Sequence, residues 1–182
     1  SDMLQEAQIP IVYHDEMRDT KGKLRVLSLF SGCGGMDLGF EGMFIANRKS
    51  FPQDSLYIDH AINKNWVMLK KTKFKTVFAN DILNEAEVAW TTYMSRFGYQ
   101  PEMYHNISIV DLVKMHKQGA DIFPKDIEVV TGGFPCQDFS VAGKRKGFNS
   151  DKDDYGKKRE GDEPSEETRG KLYYWMKQVI AT

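Results

Sequence analysis

The sequence predicts an α/β fold: a parallel sheet with helices on its faces. Three observations predict it. Apolar runs of strand length alternate with stripes of helical spacing, in the order β-α-β-α-β-α-β-loop-α. The first run ends abruptly in a glycine cluster, and so does the fourth. Such alternation implies crossover units, which build parallel sheets. The chain has 182 residues, 41% of them hydrophobic and 28% charged, which suits one domain with a real core.

Leu24 to Phe30 reads as a buried strand, broken at Ser31-Gly32-Cys33-Gly34-Gly35, with a helix from Met36 to Glu41 leaving that turn. The stretch from Met43 to Phe74 reads as loop around Asn47, Ser50, Pro52 and Gln53. Within it, Ile62, Val67, Met68 and Leu69 are assigned to a short helix. Lys70, Lys71, Lys73 and Lys75 follow, either as a solvated surface or as a binding patch. Thr76 to Ala79 reads as a second strand ending at Asn80-Asp81. Next, Ala86, Ala89, Trp90, Tyr93, Met94 and Phe97 form a helical stripe stopped by Gly98. Tyr104 to Ile107 is a third, short strand, Val110 and Val113 mark a helix before Gly119, and Ile127 to Thr131 is a fourth strand. Asn149 to Glu167 is polar, mixed in charge and broken by Gly156, Gly161 and Pro164, as a loop would be. Leu172, Trp175, Met176, Val179 and Ile180 form a last helix. Residues 1–22 read as an N-terminal extension and 23–182 as the folded part.

Composition excludes several classes. Lys plus Arg number 25 and Asp plus Glu 26, so bulk charge does not select a partner, and any nucleic acid must meet a local basic surface. No apolar run approaches the ~20 residues of a membrane span, and the N-terminus lacks a basic-then-apolar export signal. The two cysteines, Cys33 and Cys136, are far apart, and the four histidines form no ligand-spaced pair. Neither a disulfide framework nor a structural metal site is therefore expected. The histidines read as surface or helix-face residues.

In a doubly wound sheet, ligands bind beyond the carboxyl ends of the strands. The turn from Phe30 to Gly39 sits at one such end, and its glycines let the backbone turn tightly. Its spacing is not that of a dinucleotide fingerprint, because Asp37 stands where the third glycine would fall. Asp81, at the end of the second strand, can accept hydrogen bonds from ribose hydroxyls. Turn and acid together point to a nucleoside-containing cofactor. Taken alone, Asp81 has the capping of the helix that follows as its lesser alternative.

The third strand-end site is Gly132-Gly133-Phe134-Pro135-Cys136-Gln137-Asp138-Phe139-Ser140. The glycines free the backbone, and Pro135 fixes its own φ and biases Phe134 toward an extended shape. Cys136 is thereby held at the rim where substrates bind. Lys144, Arg145 and Lys146 favour its thiolate. This setting makes Cys136 a candidate nucleophile rather than a small buried hydrophobe. A Cys–His hydrolase would need His105 or His116 close to Cys136 as base, and nothing local supplies one.

These residues resemble a family. Phe30-Ser31-Gly32-Cys33-Gly34-Gly35, together with Gly133 through Lys144, resembles the cofactor and nucleophile motifs of DNA (cytosine-5)-methyltransferases. Phe134-Pro135-Cys136 is closest in kind to the bacterial restriction-modification branch. The resemblance implies a Rossmann-like S-adenosylmethionine-dependent methyltransferase fold, here incomplete. It also implies methyl transfer to carbon 5 of cytosine through a covalent cysteine adduct on Cys136. It assigns Phe30, Gly32, Cys33, Gly35, Asp81, Ile82, Asn106, Ile107 and Leu172 to the S-adenosylmethionine site. It assigns Gln137, Ser140 and Lys144 to a loop that touches double-stranded DNA. Asn106 departs from the aspartate usual in the family, although its side-chain oxygen can still accept. The family's setting implies the bacterial cytoplasm.

The resemblance runs from Leu24 to Ile180 and covers the first half of the family's catalytic core. Arg169-Gly170-Lys171-Leu172 resembles the next motif, but no Glu-Asn-Val follows. Residues 43–74 and 149–167 look like insertions. The expectation is a catalytic fragment or subunit, inactive alone and completed by a second polypeptide. The alternative is a DNA- or partner-binding module without turnover.

Overall fold

A computed structural model describes residues 22–134 and 172–182. The N-terminal extension to residue 21, Cys136, Gln137, Ser140, Lys144 and the 149–167 loop lie outside the described residues.

The core is a four-stranded parallel sheet of β1 (Leu24–Leu29), β5 (Phe74–Asn80), β6 (Tyr104–His105) and β7 (Val129–Gly132), in the order β6-β5-β1-β7. β1 is central: the chain adds β5 and β6 on one side, then returns to add β7 on the other. That reversal is the topological switch point of a doubly wound sheet, where a crevice opens at the carboxyl ends.

Helices cover both faces. Leu27, Leu29 and Phe78 pack with α3 (Ile109–Lys117) and α4 (Leu172–Ile180) through Ile109, Leu112, Val113, Leu172, Trp175 and Val179. On the other face, Ala79 packs with Trp90 and Met94 of α2 (Asn84–Met94) and with Tyr99, Met103 and Tyr104. The helix α1 (Gly35–Glu41) lies against β5 and is anchored by a buried acid, because Glu41 Oε1 accepts from the Thr76 amide at 2.7 Å and from the Tyr99 hydroxyl. The order β-α-β-α-β-α-β-α of these main elements is as read from the sequence.

Four expectations need correction. The segment 43–74 is not loop and helix but a second, antiparallel sheet of β2 (Ile45–Asn47), β3 (Ile58–Ala61) and β4 (Trp66–Leu69), in the order β2-β4-β3. The reason is period: Val67 and Leu69 are buried while Trp66 is exposed, a two-residue alternation that no helix gives. An Asx turn closes the hairpin, where Asn63 Oδ1 accepts from the amides of Asn65 and Trp66. In α2, Ala89 is exposed, and the buried stripe is Ala86, Trp90 and Met94. Phe97 belongs to a short 3-10 turn, Ser95–Phe97, that follows α2. His105 is neither surface nor helix-face but sits on β6, stacked on Phe78 with ring centroids 4.3 Å apart.

Candidate active site

The glycine turn after β1 is held from two directions. Asp81, one residue past β5, accepts from the Gly32 amide at 2.9 Å through Oδ2. Tyr104, on β6, donates its hydroxyl to the Gly32 carbonyl at 3.0 Å. The main chain of Gly32 is thus clamped between the next two strands, and a Cβ built on Gly32 or Gly35 meets nothing within 4 Å. That open space is what a ligand approaching the backbone requires.

Asp81 is not a free acid. Its Oδ1 accepts from the amides of Ile82 at 2.8 Å and Leu83 at 3.2 Å, so three backbone donors fill most of its roughly four lone-pair sites. It shapes the entry to α2 without being its cap, since Leu83 occupies the N-cap position. Burial pushes the Tyr104 hydroxyl up, and the neighbouring carboxylates of Asp81, Asp37 and Glu87 add to this. It therefore stays a proton donor.

Further supports were not singled out in the sequence. Asn80 donates through Nδ2 to the carbonyls of His105 at 2.8 Å and Ile107 at 2.6 Å, tying the segment after β6 to β5. Ser31 Oγ donates to the Ser28 carbonyl and accepts from the Asn80 amide. Gly34 has φ 87° and packs directly against the buried Trp90, whose Nε1 donates to Asp37 at 2.6 Å. Burial pushes the Asp37 carboxyl up, against hydrogen bonds from Ser28 and Trp90. The Asn80–His105, Asn80–Ile107, Ser31–Asn80 and Trp90–Asp37 bonds link residues 25 to 53 positions apart, and only the polar character of the strand ends hinted at them.

Asn106 follows β6 and has a buried Nδ2 with no hydrogen-bond partner among the described residues. An unsatisfied buried donor is costly in an empty fold, on the order of 1–3 kcal/mol. Such a group is retained where a ligand satisfies it, and an amide can present either its oxygen or its nitrogen at that spot. A nucleoside base offers both complements. The residues present therefore fit a nucleoside-containing cofactor.

The other candidates fall around this point. Ile82 and Ile107 are half-buried, Cys33 is exposed with a free thiol, and Leu172 is fully buried in the first turn of α4. Phe30, with φ 53°, meets Phe134 edge to face, with ring centroids 6.2 Å apart. This contact joins the end of β1 to the end of β7, one residue before Pro135-Cys136. Gly132 is packed under Met176 of α4, whereas a Cβ on Gly133 would meet open space.

Neither histidine weighed as a base stands beside the end of β7. His105 lies on β6, at the opposite sheet edge from β7. His116 lines a cavity of about 560 Å³ together with Asp121, Phe123, Ile127 and Glu128, at the start of β7 rather than its end.

Fold and site together define an α/β domain with a crevice at the switch point of its sheet whose lining fits a nucleoside-containing ligand. Residues 24–155 match the family model for C-5 cytosine-specific DNA methylase, and the chain belongs to that family. It is 35% identical over 126 residues to the Type II methyltransferase M.BsuRI of Bacillus subtilis, covering 68% of this chain and 25% of that protein. Identity to M.BspRI of Lysinibacillus sphaericus is 33% over 140 residues, covering 74% and 28%. Identity to the Type II methyltransferase M.HgiGI of Herpetosiphon aurantiacus is 31% over 122 residues, covering 67% of each. The chain thus spans about a quarter of the length of the first two relatives.

Proposed function

We propose that this chain forms the cofactor-binding and nucleophile part of a bacterial DNA (cytosine-5)-methyltransferase of the restriction-modification type. The observation that carries the reading is the clamped main chain of Gly32 together with the buried Asn106 Nδ2, which has no hydrogen-bond partner among the described residues. In this reading the remaining acceptor capacity of Asp81 takes a ribose hydroxyl. Ile82 and Phe30 bracket the adenine and Asn106 pairs with its polar edge. Cys33, Gly35, Ile107 and Leu172 complete the wall. S-adenosylmethionine, when bound there, supplies the electrophilic methyl group that carbon 5 of cytosine accepts.

Cytosine is a poor carbon nucleophile. The Cys136 thiolate adds to ring carbon 6, forming a carbon–sulfur bond and moving electron density to carbon 5. Carbon 5 takes the methyl group from the sulfonium, whose sulfur leaves as a neutral thioether; carbon 5 then gives its proton to water, and expulsion of the Cys136 sulfur as thiolate restores the ring. The base must leave the duplex to be reached, and Gln137, Ser140 and Lys144 hold the DNA meanwhile. The protein then works in the bacterial cytoplasm on double-stranded DNA. Among the described residues no helix is long and apolar enough to cross a membrane.

The 182 residues alone are expected to be silent. Addition of the thiolate builds charge on the cytosine ring, and a carboxylic acid at the ring nitrogen normally stabilises it. Losing one such contact costs on the order of 3 kcal/mol, roughly a hundredfold in rate. A second polypeptide would restore it.

The test is transfer of labelled methyl from S-adenosylmethionine to duplex DNA, with and without a complementing half. Activity is expected only with the complement, and a 5-fluorocytosine duplex should trap an adduct. Turnover retained in Cys136→Ala would overturn the assignment, and methylation by the lone chain would overturn the need for a partner.

A further inference from the structure

The small sheet β2-β4-β3 has two unlike faces. One buries Val67 and Leu69. Among the described residues the other is open, and the pairing register places its residues in three rows. Asn47, Trp66 and Ile62 form the first, since Asn47 pairs with Trp66 and the Ile62 amide donates to the Trp66 carbonyl. Ile45, Met68 and His60 form the second. Met43, Lys70 and Tyr57 form the third, since the Met43 amide donates to the Lys70 carbonyl and the Lys70 amide to that of Tyr57. A bulge at Asp59 keeps all three rows in phase.

Five large hydrophobic side chains on this one face are exposed: Met43 at 45%, Ile45 at 56%, Tyr57 at 72%, Ile62 at 43% and Trp66 at 44%. An open apolar face of this kind usually marks an interaction site.

Charge selects the occupant. Residues 43–73 carry six Lys or Arg against two Asp, in a chain whose net charge is −1. Lys64 lies in the turn beside the Trp66 row and Lys70 lies in the Tyr57 row. Lys49, Lys71 and Lys73 are exposed nearby. One acid, Asp59, is held on His60 Nδ1 at 2.8 Å. A polyanion is therefore favoured over a basic or neutral partner.

Size and shape narrow it further. Four residue steps along β4 separate the first row from the third, about 14 Å, and two strand spacings span about 10 Å. That is far below the ~800 Å² per partner of a standard protein interface, which argues against a second copy of the chain. A duplex offers phosphates to the lysines but no unstacked base to Trp66, Ile45 or Tyr57. A single strand offers both. Aromatic side chains on an open sheet face stack two or three bases, while cations at its rim follow the backbone.

We propose that the outer face of the β2-β4-β3 sheet binds a short single-stranded nucleic acid segment by stacking on Trp66, His60 and Tyr57 with Lys64 and Lys70 on its phosphates. The face is separate from the cofactor crevice. The small sheet joins the amino end of β5 at Phe74, six residue steps or about 20 Å from the Asn80–Asp81 end. The inference does not depend on methyl transfer.

The test uses the full 182-residue chain and labelled 12-mers of oligothymidylate, oligouridylate and a mixed-sequence duplex. Trp66 is the one exposed tryptophan, since Trp90 and Trp175 are buried. Its fluorescence should be quenched by the single strands, whose two forms distinguish a DNA from an RNA ligand. Trp66→Ala and Tyr57→Ala should each weaken single-strand binding roughly 5- to 100-fold by anisotropy. Trp66→Phe, which keeps a stacking ring, should stay within about threefold of wild type. Lys70→Gln should lower the salt slope by about one phosphate's worth. Absence of single-strand binding would overturn the proposal. So would equal binding of duplex that ignores Trp66→Ala. A third overturning result is Trp66→Ala disrupting self-association or a protein complex while oligonucleotide affinity is unchanged.

Discussion

The rings of Phe30 and Phe134 meet edge to face across the switch point of the sheet, 6.2 Å between centroids and 76° between planes. Phe30 ends the first strand in the left-handed region at φ 53°, and Phe134 stands two residues past β7. The contact adds a side-chain link between the glycine turn and the end of β7, beyond the backbone pairing of Leu29 with Gly132. Edge-to-face pairs contribute about 0.5–1.5 kcal/mol beyond their burial. A double-mutant cycle with Phe30→Leu and Phe134→Leu, followed by urea unfolding, should therefore give a coupling of about 1 kcal/mol. Additive effects would show that the two motifs are held together by something else.

The turn itself should tolerate change unevenly. A Cβ on Gly34 would lie 2.6 Å from Trp90 Cδ1, at φ 87° where side chains are strained, whereas a Cβ on Gly35 meets nothing. Gly34→Ala combines left-handed strain with a clash against a fully buried ring, and should cost roughly 3 kcal/mol of unfolding free energy. Gly35→Ala should stay within about 0.5 kcal/mol. Comparable losses in both variants would mean that the turn resists substitution for reasons other than Trp90.

Two buried groups give stability opposite pH dependences. Burial lowers the His105 pKa to about 4, below its unfolded value of about 6.5. The unfolded chain then binds more protons between those values, so stability is full above pH 6.5 and is lost as pH falls toward 4, by roughly 3 kcal/mol. Asp37 is raised by burial, so its folded form holds the proton longer. Its contribution falls as pH rises from the ordinary carboxylate range to that raised value. His105→Phe, which keeps the stack on Phe78, should flatten the acid limb. Asp37→Asn, which still accepts from Trp90, should remove the opposing slope. Urea midpoints from pH 4 to 7 separate the two. An acid limb unchanged by His105→Phe would exclude the histidine as its source.

The main sheet was legible because its signals are local. Leu24–Leu29 and Thr76–Ala79 are apolar runs cut by glycine or Asn-Asp, and the Ala86-Trp90-Met94 stripe has clean helical spacing. The 43–74 segment was not. Its strands are three or four residues long, and an alternation as short as Trp66–Leu69 cannot be told from one helical turn without the partner strands. The site was half legible. Gly32, Asp81 and Asn106 were identifiable by motif, and they do gather at neighbouring strand ends. The clamps Tyr104–Gly32 and Asn80–Ile107 were not, because each depends on strand adjacency that only the sheet order β6-β5-β1 creates. The same holds for Trp90, which reads as a core residue by spacing. Only the fold reveals that its indole nitrogen also fixes Asp37 under the glycine turn.

Asn106 offers the most discriminating test of the cofactor site, because its two roles have opposite signs. Its Nδ2 is buried without a partner among the described residues, a cost the fold bears in the free protein. Replacing it with leucine, similar in volume and without polar atoms, removes that cost, so Asn106→Leu should raise the unfolding free energy by about 1 kcal/mol. The same change deletes the group proposed to pair with the adenine edge. Losing one buried hydrogen bond to a ligand costs about 1–1.5 kcal/mol, so S-adenosylmethionine should bind roughly tenfold more weakly by calorimetry. Asp81→Ala makes the contrast. Asp81 holds the Gly32, Ile82 and Leu83 amides, so its loss should reduce stability and cofactor affinity together. If Asn106→Leu lowered stability and left affinity untouched, the amide would be an ordinary structural group, and the nucleoside pocket would have to lie elsewhere along the strand ends.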